Sequence, residues 1–191
     1  MKKKAQIWVE TVIYTLIGLV LIGMVLAVAV PFIEEKKNQR IVEDTLISLN
    51  LFDNLIEEVR KLGPGNQRQF DFSISEGSLF INAGEGNNIT FEIEDSSYAA
   101  SEVGRTQAPM IDIPGSNLKM QTEPVGKKEF FITILREYDI ESVDLKFDGD
   151  ERGQFVKAAT SYRFIIENQG RDESNNPDVV KPLRINIYEA S

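Results

Sequence analysis

Hydrophobic patterning divides the chain into three stretches. From Ile7 to Ile33 apolar residues follow one another almost without a break, and Glu10 is the one acidic or basic side chain among these 27 residues. As a helix the run extends about 40 Å at ~1.5 Å per residue, enough to cross a bilayer with some tilt. Glu34 to Arg40 is polar and mixed in sign, and apolar residues then return at Val42, Leu46, Leu49, Phe52, Ile56 and Val59. Steps of three and four put these on one face, with Glu43, Asp44, Asp53, Glu57, Glu58 and Lys61 largely elsewhere, which predicts an amphipathic helix with one side to bury. Gly63-Pro64-Gly65 stops it. Pro31 either bends the helix by freeing the Ala27 carbonyl or marks the end of the span.

After Gly65 the period falls to two. Phe70, Phe72 and Ile74 alternate with polar residues, as do Ile89, Phe91 and Ile93, and Val143, Leu145 and Phe147. Each is the pattern of a half-buried strand. Further strands are predicted at Ser78–Asn82, Glu129–Glu137, Ser161–Glu167 and Leu183–Tyr188, with the apolar run Phe130–Leu135 as a central strand covered on both faces. Asp95–Asn117 and Asn168–Pro182 read as long loops. The fold class is therefore α+β: a long N-terminal α-helix packed on an antiparallel β-sheet or β-sandwich head. Its segments are a basic leader (1–5), an apolar helix (6–33), an amphipathic helix (34–62) and a β-rich head (66–191).

Charge sharpens this division. Residues 1–65 carry 8 basic and 8 acidic side chains, so the whole formal charge of −9 lies in the head. An acidic surface excludes nucleic acid as a partner, since phosphate binding needs a basic stripe. Cys and His are both absent. That removes thiol nucleophiles, disulfides, zinc-finger spacings and the usual general base near neutral pH, so the expectation is a protein without catalysis, cofactor or metal.

Lys2, Lys3 and Lys4 precede the apolar run, and a basic flank stays cytoplasmic, which sends the head outside. The apolar stretch is too long for an ordinary secretory signal and no Ala-x-Ala site closes it. Ala5-Gln6-Ile7-Trp8-Val9-Glu10 resembles the processing site of archaeal type IV pilin-like proteins, whose basic leader is cut before a Gln and whose mature fifth residue is Glu. The resemblance covers residues 1 to about 62 and is specific at positions 4 to 10. It implies cleavage between Ala5 and Gln6 by a membrane prepilin peptidase, and a homo-oligomeric helical filament built by the membrane's pilus assembly machinery. It also implies that Glu10 pairs with the amino terminus of an adjacent subunit and sets axial register. A lone carboxylate in hydrocarbon costs about 2.5–3.5 kcal/mol on insertion scales, so Glu10 is either paired in this way or close enough to the headgroups to snorkel.

Other residues carry weaker signals. Gly18, Gly23, Ala27 and Ala29 let helices approach closely, Gly23 and Ala27 as a small-xxx-small pair, although membrane helices are commonly of this composition. Asn88-Ile89-Thr90 is an acceptor tripeptide for N-glycosylation. Asp148 to Gly153 has the acidic spacing of a calcium loop but places Arg152 fifth and Ala159 twelfth, and a solvated turn is the better reading. The alternative to a filament subunit is a single-pass membrane-anchored binding or adhesion protein that keeps its leader as an uncleaved signal anchor.

Overall fold

A computed structural model describes residues 2–84, 86–103, 109–148, 152–172 and 180–190, with side chains from Trp8 onward. One unbroken helix, α1, runs from Lys2 to Lys61 and passes through Pro31. Its 60 residues extend about 90 Å. Ten strands follow: β1 Gln67–Phe72, β2 Ser78–Asn82, β3 Asn88–Ser96, β4 Ile111–Asp112, β5 Lys119–Pro124, β6 Phe130–Glu137, β7 Val143–Phe147, β8 Arg152–Val156, β9 Tyr162–Arg171 and β10 Leu183–Glu189.

The strands form two sheets. One has the order β1-β9-β10-β7 and the other β4-β5-β6-β3-β2-β8. The six-stranded sheet is antiparallel throughout. The four-stranded sheet is mixed, because β10 runs antiparallel to β9 and parallel to β7. A wholly antiparallel head is thus corrected at one pair: the chain leaves β7 for the other sheet, adds β8 there and returns through β9 before β10 is laid down.

Aromatic residues at inward positions join the layers. Phe155 of β8 meets Phe147, Tyr162 and Phe164 of the four-stranded sheet at ring distances of 5.5, 5.0 and 4.8 Å. Phe72 and Phe91 make a second bridge at 6.1 Å. On the helix, Phe52 stacks on the register pair Phe70 and Phe164 at 5.2 and 5.7 Å. Such pairs add about 0.5–1.5 kcal/mol each beyond the area that they bury. The predicted face of α1 is the face that packs: Val42, Leu49, Phe52, Ile56 and Val59 are buried, and Leu46 is partly so.

The helix ends where Asn168, buried in β9, donates both amide hydrogens to the carbonyls of Val59 (3.0 Å) and Leu62 (2.7 Å). These are acceptors that a helix C-terminus leaves without intrahelical donors. The Asn168 Oδ1 accepts from the Gly170 amide, and the Asn168 carbonyl accepts from Gly65. The stretch expected to be a loop from Asn168 therefore begins as strand, up to Arg171. The expected loop Asp95–Asn117 likewise yields Asp95 and Ser96 to β3 and Ile111–Asp112 to β4.

Strand β6 departs from expectation in its exposure. Ile132 and Ile134 are buried, while Phe131, Thr133 and Leu135 on the opposite face are only half-buried, since among the described residues no helix or second sheet is layered on the outer side of the six-stranded sheet there.

Candidate assembly interface

Two regions of α1 differ sharply in what holds them. Below residue 34 the head covers nothing: the most apolar 18-residue window is wholly unburied, and every large apolar side chain from Trp8 to Ile33 is exposed. This is the one helix among the described residues long and apolar enough to cross a membrane. Its polar groups turn inward where they can, as when the Thr15 hydroxyl donates to the Thr11 carbonyl at 2.8 Å. At Gly18 and Gly23 an added Cβ would meet nothing within 4 Å. This chain's own packing therefore gives no reason for small residues at those positions, nor at Ala27 on the same uncovered stretch. Glu10 is exposed on the first turns. The side chains of Ala5 and Gln6 lie outside the described residues, and the backbone there is helical.

Above residue 40 the helix is fixed to both sheets. Phe52 reaches the four-stranded sheet, and the next residue, Asp53, points about 100° further round the helix to the six-stranded one. Asp53 is 2% exposed and accepts from Arg136 Nε at 2.6 Å, Tyr138 Oη at 3.0 Å and Asn117 Nδ2 at 2.9 Å. Arg136 also approaches Glu57 at 3.6 Å and lies over the Tyr138 ring at 4.3 Å. Burial, and then the charge of Asp53, hold the Tyr138 phenol protonated well above its ordinary range. Asp53 therefore does not belong with the solvated charges of the helix. The signal available in the sequence was Arg136, an isolated cation directly after the apolar run of β6.

Between these regions the hold is light. Lys37 pairs with Glu76 at 3.1 Å and Asn38 donates to Ser97 at 2.9 Å. Both partners of the ion pair are well exposed, and pairs of this kind contribute about 0.2–1 kcal/mol. Beneath them a cavity of about 590 Å³ opens between the helix at Pro31 to Asn38 and the head at Glu76, Asp95 and Lys128.

Asn88 opens β3 on the outer side of the six-stranded sheet. Its Oδ1 accepts from Asn82 (2.7 Å) and from the Thr90 hydroxyl (3.0 Å), and its Nδ2 donates to the Gly86 carbonyl (2.9 Å). The folded site thus holds the acceptor nitrogen in a turn. The neighbouring Asn87, unremarkable in the sequence, is buried at φ 41. It donates to the Tyr138 and Val143 carbonyls and accepts from the Leu145 amide, tying the β2–β3 turn to β7. In the acidic turn after β7, Asp148 and Arg152 are described and the residues between them lie outside the description. No group of three metal-ligating side chains occurs among the described residues.

The geometry therefore presents an uncovered apolar rod with a packed head, and comparison with family models, with curated proteins and with solved structures finds no match.

Proposed function

We propose that this protein is a structural subunit of a type IV pilus-like surface filament, processed before Gln6 and assembled through its N-terminal helix. The observation that carries the reading is that the head covers none of α1 from Trp8 to Ile33, while this same stretch carries Glu10 four residues after Gln6. Apolar area of this size needs a non-aqueous surrounding, either lipid or other helices. In the membrane it is lipid; in a filament, the spans of neighbouring subunits take its place. Small residues at Gly18, Gly23 and Ala27 suit the second surrounding, since they admit a partner backbone. A neighbouring α-amino group, freed by cleavage between Ala5 and Gln6, offsets the cost of Glu10 in the apolar core. The partners in this reading are further copies of the chain, a prepilin peptidase and the assembly machinery, and the head displays its acidic surface outside the cell.

The test is the terminal residue of the protein recovered from its membrane and surface fractions, by intact mass and terminal peptide sequencing. A start at Gln6 is expected. A start at Met1 or Lys2 overturns the filament reading and favours the uncleaved anchor of a membrane-bound binding protein.

A further inference from the structure

We propose that the cavity between the lower helix and the head seats the headgroup of a bilayer lipid that carries both a phosphate and a primary ammonium group. The inference needs only that α1 crosses a membrane, and so stands apart from the filament reading. Position is its first support. The apolar run of 27 residues extends about 40 Å, and a hydrocarbon core is about 30 Å thick. Centred in that core, the run projects about 5 Å at each end, into a headgroup layer about 5–8 Å deep. Pro31, Phe32, Glu34 and Glu35 on the helix wall of the cavity then stand at headgroup level. The facing wall is made by turns of the head, with Lys128 and Glu129 on the β5–β6 hairpin and Glu76 between β1 and β2. The Lys37–Glu76 pair and the Asn38–Ser97 bond close the side away from the span, so the open side is the one that a lipid reaches. At about 590 Å³ the cavity lies within the range of about 300–1,000 Å³ usual for small-molecule sites.

Charge is the second support. The head is strongly acidic, yet its hairpin presents two consecutive cations here, Lys127 and Lys128, and neither makes an ion pair among the described residues; the lysines that do are Lys37, Lys119 and Lys146. Lys128 is therefore available to a phosphate. Glu34 and Glu35, with Asp95 and Glu129, add carboxylates to the same cavity, and none of the four has an ion-pair partner among the described residues. An anionic lipid without an amine leaves these carboxylates unmatched, whereas an ammonium group satisfies them. The ammonium is a primary one. A trimethylammonium has no N–H to donate and is held by an aromatic cage, but Phe32 supplies the single ring lining the cavity among the described residues, and Lys36 already lies over it at 5.9 Å.

The full-length protein in nanodiscs of equal phosphatidylethanolamine, phosphatidylcholine and phosphatidylglycerol, with a photoreactive phenylalanine analogue in place of Phe32, tests this directly. Lipid linked at that position is expected to be enriched in phosphatidylethanolamine about fivefold over its share, the size of a single basic contact at a lipid surface. Lys128→Ala should abolish the enrichment, and Glu34→Gln with Glu35→Gln should make the ethanolamine and choline lipids equal, with the melting of the head unchanged because all three groups are exposed. Linkage in proportion to the bulk composition overturns the proposal, since it means proximity to the bilayer alone. Enrichment in phosphatidylglycerol, or a preference that survives both variants, overturns it as well. Binding of free phosphoethanolamine by lipid-free protein in detergent, without enrichment in nanodiscs, assigns the cavity to a soluble ligand instead. None of these outcomes depends on whether the leader is cut.

Discussion

Asp53 of the helix and Arg136 of β6, 83 residues apart in sequence, meet at 2.6 Å with the carboxylate almost wholly buried. The pair couples α1 to the six-stranded sheet, as Phe52 couples it to the other. Its energetics are asymmetric. Removing one partner strands the other charge in the interior and costs about 3–5 kcal/mol, whereas replacing both by apolar groups of similar size can be nearly neutral. Asp53→Ala is therefore expected to lower the urea midpoint of the head strongly. Asp53→Leu combined with Arg136→Met should recover much of that loss, and a double variant no more stable than Asp53→Ala would contradict this account.

Tyr138 makes the same cluster sensitive to alkali. In the unfolded chain its phenol titrates near pH 10. Burial foremost, and then Asp53, hold the folded phenol protonated to higher pH. Between those two values the unfolded state binds fewer protons, so stability is fully present below about pH 10 and falls above it by up to ~1.4 kcal/mol per pH unit. Tyr138→Phe should flatten this decline and, at pH 7, cost the hydrogen bond to Asp53, about 1.5–3 kcal/mol. Melting temperatures of both proteins across pH 7 to 11 would show the two curves converging.

Asn168→Ala removes the donors to the Leu62 and Val59 carbonyls, the second of which keeps a 3.2 Å bond from the Leu62 amide, and the acceptor of the Gly170 amide in one change. Buried groups left without partners cost about 1–3 kcal/mol. Amide exchange should accelerate in the last turn of α1 before it does in β1. Uniform acceleration across the head would instead mean that the cap matters only for global stability.

Because the head covers none of α1 below residue 34, a chain that begins at Glu34 is expected to be soluble and to melt within a few degrees of the full-length protein in detergent. A drop larger than about 2–4 °C, the shift that ~1 kcal/mol produces in a domain of this size, would show that the span supports the head.

Glu10→Ala replaces a carboxylate in the apolar run by a methyl group. Membrane insertion should improve, in the direction of the ~2.5–3.5 kcal/mol by which insertion scales penalise Asp, Lys or Arg at a helix centre. On the filament reading, surface filaments should be lost even so, while the leader is still cut. Normal filaments from this variant would remove Glu10 from the assembly mechanism.

Much of the fold was legible because apolar alternation and burial coincide. Strands β2 and β7 fall at the residues expected from the sequence, and β10 runs one residue beyond. The strands that escaped have inward residues of another kind. In β5 they are Met120 and Thr122, and the Thr122 hydroxyl is buried by accepting from the backbone and hydroxyl of Ser101. In β8 they are Gly153 and Phe155, and the ring of Phe147 fills the space where a Gly153 side chain would stand, 2.8 Å from an ideal Cβ. The buried polar hubs at Asp53, Asn87 and Asn168 escaped for a related reason: apart from Gly170 beside Asn168, their side-chain partners lie 51 or more residues away in sequence, beyond the reach of any local pattern. The apolar span was the most legible element, since its length and composition alone define it.

The order of strands in the smaller sheet bears on how the protein reaches its fold. Strand β10 follows all the others in the chain, yet it sits between β9 and β7 and pairs with both. Until it arrives, β7 has no neighbour in its sheet and the face of β9 that β10 will occupy is an open edge. On the filament reading, a head delivered across a membrane with its helix first waits, partly assembled and with exposed strand edges, for its final segment to emerge. Non-local pairing of this kind slows folding and leaves intermediates open to misassociation. The light hold between the head and the lower helix would have a use in that interval on the same reading: it leaves the unfinished head free to close around its last strand after the span has entered the bilayer.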